Sequence, residues 1–264
     1  MPRIRALAAV LVLVAACGGG GGGGDDGDGG LTGDARRLDA AVDVTELGGD
    51  FSCAGVAWPT TAPDPLSVTG RVTDPVAMAN GGGAAVEIHK ASDDSVLAMG
   101  AAASNGIFAF NIATAGAAPT VYRKATLAGH VDGYTYDPFA DYDGSQSGRG
   151  IYAPTAASRD TYYAAAGIAN DPAKGTVLVE ILDCTHLPVY GATVMAPGIA
   201  KAIYLDDGGA PSASATATGS PGIVVLLGVP PGPIDVTIHA GSVVFRTWPI
   251  KSTANAFAYS PRLP

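Results

Sequence analysis

From Pro65 onward, apolar residues recur at every second position, in short runs cut by Gly, Asn and Asp. Val68-x-Gly70-x-Val72 alternates and stops at Asp74-Pro75. Ala84-x-Val86-x-Ile88 alternates next, with Glu87 and His89 on the opposite face. Ser104-Asn105-Gly106 is a tight-turn signal, because Asn and Gly accept positive φ. It leads into Phe108, Phe110 and Ile112, which share one face of a period-two run. Residues 121–127 form a further run. Strands at this spacing, joined by turns, predict a sandwich or barrel rather than βαβ units.

The second half repeats the plan. Residues 176–182 are almost uninterruptedly apolar, the composition of a strand buried on both faces. Gly191-Ala192-Thr193-Val194 matches Gly83-Ala84-Ala85-Val86, and Ser220-Pro221-Gly222-Ile223 matches Ser104-Asn105-Gly106-Ile107. Gly106 to Gly116 and Gly222 to Gly232 have the same spacing. Between the halves, residues 158–167 predict a short helix, with Ser158 as N-cap and Gly167 just past its end.

These positions carry a resemblance. Val68-x-Gly70-x-Val72-x-Asp74, Gly83-Ala84-Ala85-Val86 and Asn105-Gly106-x-Phe108-x-Phe110 resemble the carboxypeptidase regulatory-like family. In the second half, residues 188–194 (PVYGATV) and 228–236 (GVPPGPIDV) are similar to the same family. The resemblance covers roughly residues 66–137 and 175–260. It implies an all-β fold, two tandem Greek-key transthyretin-like β-sandwiches, and no chemistry, since its motifs are turn and core positions. The first copy has Gly116-Ala117-Ala118-Pro119 where the family has a Pro-Gly turn.

The N-terminus changes the picture from fold to location. Residues 1–5 carry Arg3 and Arg5, residues 6–14 are apolar, and the run stops at Ala15-Ala16-Cys17. Such a run is too short to span a bilayer, which takes roughly 20 residues, and has the proportions of a secretory signal. One reading is an ordinary signal cut near Ala16 with Cys17 incidental. The other rests on likeness: Ala15-Ala16-Cys17-Gly18 resembles the lipobox of bacterial lipoproteins. That resemblance implies acylation of Cys17, palmitate among the chains, anchorage in membrane lipid, and by Gly18 the outer membrane, on its periplasmic face or at the cell surface. Seven glycines follow, then acidic residues from Asp25 to Asp50 that number eight against Arg36 and Arg37. A segment so poor in side chains predicts a disordered tether. The expected organisation is signal 1–16, lipidated Cys17 and tether 17–50, first sandwich 51–140, linker with helix 141–174, and second sandwich 175–264.

Composition then excludes several classes. Gly (37) and Pro (19) make helical bundles untenable. A net charge of −9 argues against a nucleic-acid partner, which needs clustered Lys and Arg. Of three cysteines, Cys17 is assigned to lipid, leaving Cys53 and Cys184. In an oxidising compartment they are expected to pair, the alternative being two buried thiols that never meet.

Candidate chemistry is sparse. His89, His130, His186 and His239 lack metal-protease spacing, so no metal site or cofactor is expected. His186 lies close to Cys184, a nucleophile pairing that fails if Cys184 is oxidised. Asp137, Asp141 and Asp143 bear a faint resemblance to a calcium loop but lack the third ligand spacing and the closing Glu, so a solvated loop is expected. His89 and His239 are expected to face solvent. Aromatics give the binding hint: Tyr134, Tyr136, Phe139, Tyr142, Tyr152, Tyr162 and Tyr163 lie within thirty residues. On loops, Tyr134, Tyr136, Tyr142 and Tyr152 suit contacts with a glycan or a protein; alternatively the cluster seals the joint between two sandwiches. The function expected is a membrane-anchored, exported, non-enzymatic binding or scaffold module. A structural spacer without a small ligand and a hydrolase with an unrecognised site are the alternatives.

Overall fold

A computed structural model describes residues 49–136, 145–146 and 150–264, with backbone alone at 145–146. The signal, Cys17, the tether to residue 48, Asp137, Phe139, Asp141, Tyr142 and Asp143 lie outside the described residues. The first half contributes β1 (Leu66–Thr73), β2 (Ala85–Lys90), β3 (Val96–Ala101), β4 (Ile107–Ile112), β5 (Val121–Thr126), β6 (Gly133–Thr135), β7 (Ser145–Gln146) and β8 (Ile151–Tyr152). After helix α1 (Ala156–Ala166) come β9 (Gly175–Ile181), β10 (Thr193–Met195), β11 (Lys201–Leu205), β12 (Pro211–Ser212) and β13 (Ile223–Val229). The chain continues through β14 (Gly232–Ile234), β15 (Thr237–Ala240), β16 (Val243–Val244), β17 (Ile250–Ser252) and β18 (Phe257–Arg262). The fold is all-β with sandwich-like layers.

One nine-stranded sheet runs β12-β11-β13-β9-β18-β6-β5-β2-β3. Its central joint is a parallel pairing of β18 with β6, Phe257 opposite Gly133 and Tyr259 opposite Thr135. Strands of both halves thus share one hydrogen-bonded layer, and the described residues belong to one compact unit. At the first-half end, β1 and β4 pack on this sheet over a core of Leu66, Val68, Val72, Val86, Ile88, Phe108 and Ile112. At the other end both faces are covered. Val177, Val179, Val224 and Leu226 meet Val194, Ile238 and Ile250 of the small sheets on one side. Leu178, Val225, Leu227 and Phe257 meet Tyr162, Tyr163 and Ala166 of the helix on the other. This double cover is why β9 is apolar at successive positions instead of alternating.

The repeat read from sequence reappears as matched backbone hydrogen bonds. Gly83 N–H donates to Ala102 and Ala102 N–H returns to Ala84; Gly191 N–H donates to Thr218 and Thr218 N–H returns to Ala192. The turn glycines also match. Gly106 and Gly222 have φ of 80° and 67°, and a Cβ on either would stand 2.7 Å from a carbonyl oxygen, that of Val72 or Ile181.

Each repeat ends its first strand with a buried aspartate. Asp74 Oδ1 accepts the N–H groups of Val76 (2.9 Å) and Ala77 (3.0 Å). Asp183 Oδ1 accepts those of Thr185 (2.8 Å) and Leu187 (2.9 Å). The second oxygen of each holds a distant segment. Asp74 Oδ2 takes Thr155 N–H (2.9 Å) and Ser158 Oγ–H (2.7 Å); Asp183 Oδ2 takes Asp50 N–H (2.9 Å). Burial pushes each carboxyl up, but these donors outweigh it and hold both below the ordinary 3.8.

The helix begins earlier than its sequence suggests. Thr155, not Ser158, is the N-cap, its Oγ1 accepting Ser158 N–H, because the Ser158 hydroxyl is turned to Asp74. Gly167 closes the helix in the left-handed conformation, as expected.

Groups with depressed folded pKa values stabilise above the unfolded value and lose that contribution as pH falls. Asp74→Asn and Asp183→Asn should therefore each lower unfolding free energy at neutral pH by about 1–3 kcal/mol. The double variant should lose less stability than the parent as pH drops through 3.8, measured by urea unfolding across pH.

Candidate binding cleft

Asp74 fixes two surfaces at once. Its Oδ1 shapes the loop that carries Pro75, Val76 and Met78, and its Oδ2 sets the start of α1, which carries Thr161 and Tyr162. These are opposite walls of a cleft of about 250 Å³. Leu178, Leu205 and Ile223 line it from the nine-stranded sheet, and Tyr152 and Pro211 complete the apolar surround. Met78 is 76% exposed at the rim, and Thr73 and Thr161 add hydroxyls.

A carboxyl stands beside this floor. Glu180 is the charged residue in the apolar β9 run and lies directly opposite Ile223 in the register. Tyr259 donates its hydroxyl to Glu180 Oε2, and the Tyr259 ring packs 4.6 Å from that of Tyr152. Burial raises the Glu180 carboxyl above its ordinary 4.5, and the Tyr259 hydrogen bond only partly offsets this. Burial, followed by the nearby Glu180 charge, pushes Tyr152 up to about 12. Tyr162 also rises to about 12, from burial and then from Asp74 and Tyr152. Both phenols are therefore neutral at physiological pH. Tyr152 is partly open to the cleft and offers a flat face with a donor hydroxyl, not a base, whereas Tyr162 is 5% exposed and belongs to the core beneath it.

The structure brings Tyr152 and Tyr162 to this cleft but sends Tyr134 and Tyr136 elsewhere. The latter two are on the opposite face of the sheet. Tyr136 is 3% exposed, so it is not a loop tyrosine open to a ligand. Tyr122 and Tyr136 lie 5.3 Å apart, and His89 stacks on Tyr122 at 4.8 Å. Tyr136 shares its core with Val177, Val179 and Ile250 of the second half, and Tyr134 packs against the same core. Lys251 reaches Asp94 at 3.1 Å across the same joint. His89 is largely covered rather than solvent-facing, its side chain 12% exposed and 3.0 Å from Glu87. His239 and His186 are exposed. Tyr163 is buried, its hydroxyl 3.0 Å from Thr176 Oγ1.

Cys53 and Cys184 are joined in a disulfide, so Cys184 is no nucleophile for His186. Asp50 reinforces the link: its N–H reaches Asp183 and its carbonyl accepts Cys184 N–H at 2.7 Å. Arg246 donates to Cys53 O at 2.5 Å and lies over the Trp58 ring at 4.2 Å. Among the described residues, no group of three or more His, Cys, Asp or Glu is placed to hold a metal ion. The roles of Asp74 and Glu180 were missed in the sequence, though each had a signal: an Asp closing an alternating run, and a lone acid in an apolar strand.

No protein-family model and no curated protein matches this chain. Among solved structures, the chain is similar to the TIE protein of Bacillus anthracis at 13% identity and TM-score 0.26, covering 76% of this chain and 34% of that one. It is similar to shaft pilin SpaA of Lactobacillus rhamnosus GG at 12% identity and TM-score 0.25, covering 78% and 98%. GBS52, a minor pilin of Streptococcus agalactiae, gives 10% identity and TM-score 0.23, covering 76% and 96%. Likenesses this distant carry no functional weight here.

Because the folded state binds a proton at Glu180 more tightly than the unfolded chain, this residue costs stability as pH rises past 4.5. Glu180→Gln should raise the melting temperature at neutral pH, leave it unchanged in acid, and preserve the pairing with Tyr259. Thermal unfolding at several pH values reads the first two.

Proposed function

We propose that this chain is an exported, non-enzymatic module, acylated at Cys17 and held by membrane lipid to the cell envelope, at the outer membrane. It presents a rigid β body that binds or scaffolds a glycan or a protein. The observation that carries this reading is the Cys53–Cys184 disulfide, with a sequence separation of 131. Disulfides persist in oxidising compartments, and this one is placed where an envelope tether needs it. Tension arriving at Asp50 and Cys53 passes straight to the end of β9, inside the nine-stranded sheet, without crossing the first half. The cleft supplies the binding surface, since the partly open Tyr152 ring offers a stacking face with a neutral hydroxyl to a sugar ring or an apolar side chain.

A spacer without a small ligand is the second reading. The shared sheet favours it, because a parallel β18–β6 joint makes a stiff link between the two β units.

Mass spectrometry of the mature protein tests the anchor and the compartment together: Cys17 should carry acyl chains and no free thiol should appear at Cys53 or Cys184. An unacylated N-terminus overturns the anchoring. A glycan array and a pull-down, each repeated with Tyr152→Ala, then separate the readings. Binding lost in that variant supports the cleft, and silence on both leaves the spacer. Replacing both Cys53 and Cys184 by Ser should cost up to about 5 kcal/mol of unfolding free energy.

A further inference from the structure

Both tryptophans of the chain sit together. Trp58 and Trp248 meet edge to face at 5.9 Å, and the Arg246 guanidinium lies 4.2 Å from the Trp58 ring. Beside them the β15–β16 hairpin (Thr237–Val244) and the strand-free segment that opens the described chain enclose a mainly apolar groove lined by Phe51, Gly55, Val243, Val244 and Arg246. Its rim is greasy and open to solvent: Val244 is 79% exposed and Val56, next to Gly55, is 57% exposed. Trp58 is half-buried and Trp248 packs against the main core with its Nε1 buried, so the open apolar surface is that of Val56, Val244 and the Trp58 edge, a group rather than singly scattered residues.

The chain enters the body at this same place. Phe51 lines the groove, and Asp50 and Cys53 are clamped to Asp183 and Cys184 immediately behind it.

We infer that this end of the body docks on the surface of the lipid bilayer, laying Val56, Val244 and the open edge of Trp58 into the headgroup region. The inference rests on the proposed acylation at Cys17. Residues 18–48 are the chain between Cys17 and the body, so an acylated Cys17 keeps this groove near the lipid. At such short range the effective concentration is in the millimolar range, and a weak patch suffices. The half-buried Trp58, with an apolar body and one polar edge, suits the headgroup level, and the Arg246 guanidinium over its ring suits the same layer; Trp248, its Nε1 buried, backs it from the core side. The acidic residues between Asp25 and Asp50 disfavour a strongly anionic surface, so the bilayer chemistry that fits is zwitterionic.

Intrinsic emission reports this patch alone, because the chain has two tryptophans. The acylated full chain is reconstituted into phosphatidylcholine vesicles, with or without lipid brominated near the headgroup. Emission should be quenched in the brominated vesicles. It should recover when Val56→Asp and Val244→Asp are combined, with Cys17 acylation, vesicle co-flotation and the Cys53–Cys184 disulfide all retained. Co-flotation without quenching overturns the docking and leaves the anchoring intact. Absence of co-flotation in the parent chain overturns the anchoring itself. A shift in emission that depends on protein concentration without vesicles overturns the docking in favour of a second copy of the chain.

Discussion

Two carboxylates at the ends of matched strands hold this molecule in shape. Asp74 and Asp183 each close the turn that follows an inner strand and then spend their remaining oxygen on a segment from elsewhere. An ionised carboxylate buried with several donors is worth keeping only while every donor is present, since removing one leaves charge without compensation. That makes each aspartate a cooperative node. One joins the Pro75–Met78 loop to the helix start and so builds both walls of the cleft. The other joins the entry of the chain to the end of β9, beside the disulfide.

Glu180 behaves in the opposite sense. Among the described residues its carboxyl takes the Tyr259 hydroxyl and no cluster of amide donors, so burial wins and its proton is retained more strongly than in the unfolded chain. Acidification therefore withdraws support at the two turns while relieving strain at the cleft. The difference between three acids lies in the number of donors around them, not in depth alone.

Strand positions in the first half are legible in sequence because one face is fully buried and the other only partly so, and Val86 and Ile88 alternate with the polar Glu87 and His89. The helix end is legible because Gly167 alone satisfies its left-handed cap. Its start is not: two hydroxyl residues three apart both suit an N-cap, and the choice is made by Asp74, 84 residues away from Ser158. Of the proposed tyrosines, the cleft brings in Tyr152, whereas Tyr136 is buried at the joint. Nothing local separates these fates, because a Tyr at alternate positions looks alike whether the facing layer is solvent or the β17 strand. The cross-half pairing of β18 is equally silent, as parallel partners far apart in sequence share no turn signature.

That pairing has a consequence for how the chain is assembled. β18 follows every other strand of the large sheet in sequence, yet it sits between β9 and β6 at the centre. A chain threaded outward from its beginning would present β6 and β9 with bare inner edges until the final segment arrives. Unpaired edges of this kind invite foreign strands. Completion of this sheet thus waits for β18, and a variant lacking β18 would leave two open templates for aggregation rather than one slightly shortened sheet.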